Sequence, residues 1–78
     1  MNAAYQLLGE LIAAAGDVDT YGDVSAKHAR ITVPTRADVV RVAEKLGLSH
    51  TEGSMIFARW GVRDGVRVTV MSMGRDVE

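Results

Sequence analysis

Two apolar, strand-like segments between Met55 and Met73 hinge at Arg63-Asp64-Gly65. Their pairing constrains this chain more than any other feature, because a one-residue slip of register turns every side chain of a strand to the opposite face. A two-residue Asp64-Gly65 turn would set Val62 opposite Arg67, Trp60 opposite Thr69 and Arg59 opposite Val70, mixing polar and apolar groups on both faces. A three-residue loop, with Arg63 and Asp64 right-handed and Gly65 left-handed, gives a type I turn with a G1 bulge. Val62 then faces Val66, Trp60 faces Val68 and Ala58 faces Val70. That makes one face wholly apolar, so burial favours the three-residue loop. The other face carries Met55, Phe57, Arg59, Arg67, Thr69, Met71 and Met73, where a partner or dimer interface is expected.

The 78 residues predict a single domain, 1–78. A chain of this size buries only about 60% of its unfolded surface, which makes a second copy an expected source of further burial. The core is thin: the apolar share of 47% includes ten alanines but only five leucines, and the aromatics are Tyr5, Tyr21, Phe57 and Trp60. No cysteine is present, so disulfides cannot compensate, and a reducing compartment is consistent with that. Nine basic and ten acidic residues give a net charge of −1, which supplies no global field for nucleic acid or anionic lipid. No apolar run approaches the ~20 residues of a membrane span, and a cytoplasmic location is expected.

Asn2 is placed to cap a helix whose face is Ala4, Leu7, Leu8, Leu11, Ile12 and Ala15, with Gly16 as terminator. Gly9 within it suggests close approach of another backbone. Residues 17–25 read as loop, and Ala29 to Val33 as a short strand ended by Pro34. Thr35 with Asp38 forms a variant capping box for a second helix faced by Val39, Val42, Ala43 and Leu46. Gly47 and Leu48 close that helix in the Schellman manner. Residues 49–53 read as a connection to the hairpin. The expected fold is α+β and two-layer, with order α-β-α-β-β. Its three-stranded antiparallel sheet has strand order 1-3-2, and both helices cover one face.

Several motifs bear on chemistry. Asp17-x-Asp19-x-Tyr21-Gly22-Asp23 starts like a calcium loop, but its fifth position is Tyr21 and its twelfth is His28 in place of a bidentate glutamate. His28 and His50 lack the spacing of a metal pair, so no metal or cofactor is assigned. Ser25 with His28, or Asp38 with Glu44, form pairs of a kind that arises by chance, and no phosphate-cradling glycine loop occurs. The chain is therefore read as non-enzymatic, with no catalytic residues. On the outer sheet face, Phe57 with Arg59 and Arg67 also outlines a minimal single-stranded nucleic-acid surface, an aromatic to stack a base and guanidinium groups for phosphate.

The segment Val42-Ala43-Glu44-Lys45-Leu46-Gly47-Leu48-Ser49-His50-Thr51 resembles the first helix and turn of the helix-turn-helix DNA-binding family. That resemblance implies a recognition helix from about Thr51 to Arg59 and a wing beyond Gly61. The pattern departs from the family at Gly53, where a bulky apolar residue docks the recognition helix. The stretch from Ile31 to Met73, with its Val-Pro-Thr-Arg-Ala-Asp-Val start, also resembles small uncharacterised proteins of actinobacteria and their phages. That likeness implies no activity and transfers no functional residue. The expected role is a small interaction protein, a phage or mobile-element accessory, that binds a protein partner and self-associates as a homodimer. DNA binding and single-stranded nucleic-acid binding are the alternatives.

Overall fold

A computed structural model describes residues 3–52 and 57–72. Helix α1 (Ala3–Ala15) is followed by strands β1 (Tyr21–Ser25) and β2 (His28–Val33), then helix α2 (Arg36–Leu46). Strands β3 (His50–Glu52), β4 (Ala58–Arg63) and β5 (Val66–Ser72) complete the order. They form one five-stranded sheet in the order β1-β2-β5-β4-β3. β1 with β2, β4 with β5 and β3 with β4 are antiparallel, whereas β2 and β5 run parallel.

This corrects the three-stranded antiparallel sheet expected from the sequence. Residues 17–25 hold a strand where only loop was expected, because Tyr21 to Ser25 pairs along β2 through a hairpin turn at Ala26-Lys27. The connection after α2 holds another, with His50 opposite Trp60 and Thr51 opposite Arg59. β5 does lie between β2 and β4, but α2 and β3 return the chain so that β5 enters beside β2 in the same direction. The Thr51 to Arg59 recognition helix is also replaced, since Thr51, Glu52, Ala58 and Arg59 all sit in paired strands.

The decisive difference lies at the hairpin turn. Asp64 has φ 53° and Gly65 φ 77°, so both are left-handed, as a two-residue type I′ turn requires. Arg63 pairs with Val66, Val62 with Arg67, Trp60 with Thr69 and Arg59 with Val70. The primed turn matches the right-handed twist of the strands, and Asp-Gly is among its preferred dipeptides. That local fit outweighs the tidy apolar face of the longer loop. The inward face of β5 is still Val66, Val68 and Val70, but the faces of β4 are reversed: Val62 is 63% exposed and Trp60 only half-buried.

The core lies between the sheet and the two helices. Ala29, Ile31 and Val33 of β2 and Val66, Val68 and Val70 of β5 meet Leu7 and Leu11 of α1 and Val39, Val42 and Ala43 of α2. α2 is capped as its sequence requires: the Asp38 amide donates to Thr35 Oγ1 at 3.2 Å, Gly47 is left-handed, and the Leu48 amide donates to the Ala43 carbonyl at 2.9 Å. Two arginines tie the helices in place. Arg41 donates to the carbonyls of Ala14 and Ala15 at the end of α1, at 3.1 and 3.0 Å, and to Asp38. Arg63 reaches Glu10 of α1 and the Leu46 carbonyl of α2. Burial works against ionisation of Asp38, but hydrogen bonds from Arg41 and Thr35 and the Arg41 charge together hold its carboxyl below its ordinary value. Asn2, the expected cap of α1, lies outside the described residues.

Urea denaturation distinguishes the two registers: Val62→Lys is expected to change stability by less than about 0.5 kcal/mol, as for an open surface site, whereas Val68→Ala should cost about 2 kcal/mol. A large loss from Val62→Lys would restore the three-residue loop. Among the described residues outside its own helix, nothing lies within 4 Å of a Cβ built on Gly9, so no described backbone approaches it there. Gly9→Ala should therefore stabilise by about 1 kcal/mol, read as a rise in Tm.

Candidate functional site

The helices cover one face of the sheet, and no described helix or strand packs on the other. Alternation along each strand decides what that outer face presents. Tyr21, Asp23 and Ser25 of β1 lie beside Thr32, Arg30 and His28 of β2, which lie beside Met71, Thr69 and Arg67 of β5. Met71, Thr69 and Arg67 in turn face Ala58, Trp60 and Val62 of β4, and Trp60 faces His50 of β3.

The planar groups on this face are in contact. The His50 and Trp60 rings stack with centroids 4.3 Å apart and planes 19° from parallel. The Arg67 guanidinium carbon stands 4.1 Å from the Trp60 ring centroid. Arg67 also pairs in register with His28, so a ladder of His50, Trp60, Arg67 and His28 crosses four of the five strands. Beside it, His28 Nε2 and Thr69 Oγ1 are 3.2 Å apart, and Arg30 donates to Asp23 at 2.6 Å. Cross-strand stacks of this type stabilise a sheet by a few tenths to about 1 kcal/mol each, which alone would justify the ladder in a structural role. They also hold the flat Arg67 guanidinium against the Trp60 ring, so less of its side-chain freedom is lost on binding.

At His28 the two guanidinium charges of Arg30 and Arg67 outweigh the one carboxylate of Asp23. Burial, then the charges of Arg30 and Arg67, lower the pKa of His28 from its ordinary 6.5, and Asp23 opposes them only in part. Lysine is absent from the outer-face positions of the described strands. A cleft of about 40 Å³ lined by Asp23, Val24, Ser25, His28 and Arg30 opens at the β1 side. It is far smaller than the few hundred Å³ of a substrate pocket. Among the described residues, no three His, Asp or Glu side chains are placed to hold a metal. Asp23 of the calcium-like segment instead engages Arg30.

The structure divides the residues expected at the interface. Arg67, Thr69 and Met71 are on the outer face, with Thr69 buried between strands. Arg59 pairs with Val70 and so shares the helix side of the sheet, and Phe57 packs against the core beneath the Arg36 and Arg59 guanidinium groups. Phe57 and Arg59 are therefore separated from Arg67 by the sheet itself, a correction that follows directly from the type I′ turn. Arg59 Nε is buried without a hydrogen-bond partner. Met55 and Met73 lie outside the described residues. Trp60, expected in the core, and His50, expected in the connection after α2, emerge as the centre of the face. The Asp-Gly dipeptide was the signal that could have found Trp60.

No protein-family model, curated protein or solved structure matches this chain. No helix among the described residues is long and apolar enough to cross a membrane.

The sign of the His28 shift sets a pH test. Because the folded state lowers its pKa, the unfolded chain binds the proton more readily, so stability is retained above the ordinary 6.5 and is lost as pH falls through the lowered value. Urea midpoints followed from neutral to mildly acidic pH should show this loss in the parent and a smaller one in His28→Gln.

Proposed function

We propose that the chain is a non-catalytic binding module whose working surface is the outer sheet face, and that its ligand is single-stranded nucleic acid. The observation that carries this reading is the Arg67–Trp60–His50 stack on a face that no described helix covers. Single-stranded ligands are held by planar groups that stack bases and by guanidinium groups that meet phosphate, and sequence preference is secondary. The stack supplies the first. Arg30 and Arg67, whose charges both bear on His28, supply the second. Tyr21, 70% exposed in the row of Thr32 and Met71, extends the aromatic surface toward the β1 edge.

A second reading has its own support. With Trp60, Tyr21, Met71 and Val62 on one broad face and a net charge of −1, the same surface has the aromatic, methionine and arginine composition of a protein interface. A protein partner would use the same ladder, and salt dependence separates the two. Counterion release makes nucleic-acid affinity fall steeply with salt, by a logarithmic slope of about 0.7 per phosphate contact on a single strand.

Trp60 is the sole tryptophan, so its fluorescence reports directly on this face. Titration with oligothymidylate or oligouridylate at low salt is expected to quench it. Arg67→Ala should weaken binding roughly tenfold, the scale of one lost stacking or charged contact. Arg30→Ala should lower the salt slope by close to one contact. Unchanged fluorescence with both polymers at low salt would sink the nucleic-acid reading and leave the protein-partner one standing.

A further inference from the structure

The β1 edge of the sheet carries two features that the outer face does not use. The first is its backbone. β1 pairs with β2 on one side, and no described strand lies on the other, so the peptide N–H and C=O groups of alternate residues within Tyr21–Ser25 face outward. Such an edge, free of proline and lysine here, is a template for another strand.

The second is an apolar stripe above that edge. At 3.6 residues per turn, Leu8, Ile12 and Tyr5 fall on one flank of α1, and Glu10 falls on the opposite flank. Two contacts orient these flanks. Leu8 lies against Gly22 of β1, where an added Cβ would come within 3.1 Å of Leu8 Cδ1, while Glu10 meets Arg63 of β4 at 3.2 Å. The Leu8 flank therefore overhangs β1 and points away from α2. Tyr5 is 62% exposed and Ile12 46%, although the helix is otherwise packed on the sheet.

We infer that a second copy of this chain docks at this edge. β1 pairs antiparallel with β1 of the copy about a two-fold axis perpendicular to the sheet, and the Tyr5, Leu8 and Ile12 stripes of the two α1 helices pack above the seam. A second copy is the occupant because the surface is complementary to itself: an open strand edge satisfies another in antiparallel pairing, and an uncharged apolar stripe meets its equal. α1 lies over β2, with β1 and β5 beneath it on either side, so its Leu8 flank is the part of the helix nearest the β1 edge. Pairing centred on Gly22 is favoured over pairing centred on Asp23, which would set two carboxylates directly opposite.

The assembly is closed and isologous, with five strands from each copy in one continuous sheet. Both outer faces then lie on the same side, so a long ligand could engage two Trp60 ladders at once. The dimer itself does not depend on what that ligand is.

Sedimentation equilibrium on the full chain, from low to several hundred micromolar, tests the pairing. The parent should associate to twice its 8.4 kDa. Tyr5→Lys with Ile12→Asp, checked for folding by circular dichroism, should be monomeric throughout, and Trp60→Ser should still dimerise. As a second measurement, Ile12→Cys in this cysteine-free chain should give a covalent dimer with a short bismaleimide, while Val62→Cys should give only background. A parent that stays monomeric, a dimer that survives the stripe substitutions, or one dissociated by Trp60→Ser instead would each overturn the proposal. Oligonucleotide titration of the same Tyr5→Lys/Ile12→Asp variant keeps the two questions apart, since loss of the dimer leaves each Trp60 ladder intact.

Discussion

The parallel pairing of β2 with β5 is the constraint on which the remaining structure depends. Ile31 and Val33 on one strand and Val68 and Val70 on the other are almost fully buried, and both helices rest on this seam. Parallel neighbours cannot be joined by a tight turn, so the chain must travel over the sheet between them. α2 makes that passage, and its firm caps at Thr35 and Gly47 fix where it starts and stops. Two antiparallel hairpin partners, β1 and β4, then flank the pair, and β3 extends the β4 side. The helices settle on one face because only that face is continuously apolar, and Arg41 and Arg63 fasten them by binding helix-end carbonyls that would otherwise lack partners.

The Asp64-Gly65 turn has the next greatest influence, and its effect reaches function. Two left-handed residues in succession rotate β4 so that Trp60 turns outward and Arg59 turns toward the helices. Trp60 then finds His50 on the short strand β3 and Arg67 diagonally across β5. A chain with little aromatic content thus places its one tryptophan on the side of the sheet that no described helix or strand covers, where its ring adds nothing to the helix-side core. That placement is the physical basis for reading the outer face as a binding surface.

Where local chemistry decides, the residues were legible. The capping box at Thr35 and Asp38, the left-handed Gly47 with Leu48 folded beneath it, and the inward set Val66, Val68 and Val70 could all be read directly, because each depends on neighbours within a few positions. β1 and β3 were not legible. Tyr21-Gly22-Asp23-Val24-Ser25 has the composition of a loop, and His50-Thr51-Glu52 is too short to show alternation, so both are strands only because a partner stands beside them. Of the site, Arg67, Thr69 and Met71 could be placed from β5's own alternation, whereas Phe57 and Arg59 were lost when the turn reversed β4.

By itself, the sequence determined two amphipathic helices, the Gly16 end of the first and both ends of the second, a hairpin hinged within Arg63-Asp64-Gly65 and the buried face of β5, since these follow from periodicity and turn chemistry. Only the tertiary structure decided the direction of β5 beside β2, the strand character of β1 and β3, and which side of β4 faces water. Those depend on hydrogen-bond partners far away in sequence and on a balance between turn twist and apolar burial. Apolar patterning alone favours the other register of β4, and the twist of the Asp64-Gly65 turn overrules it.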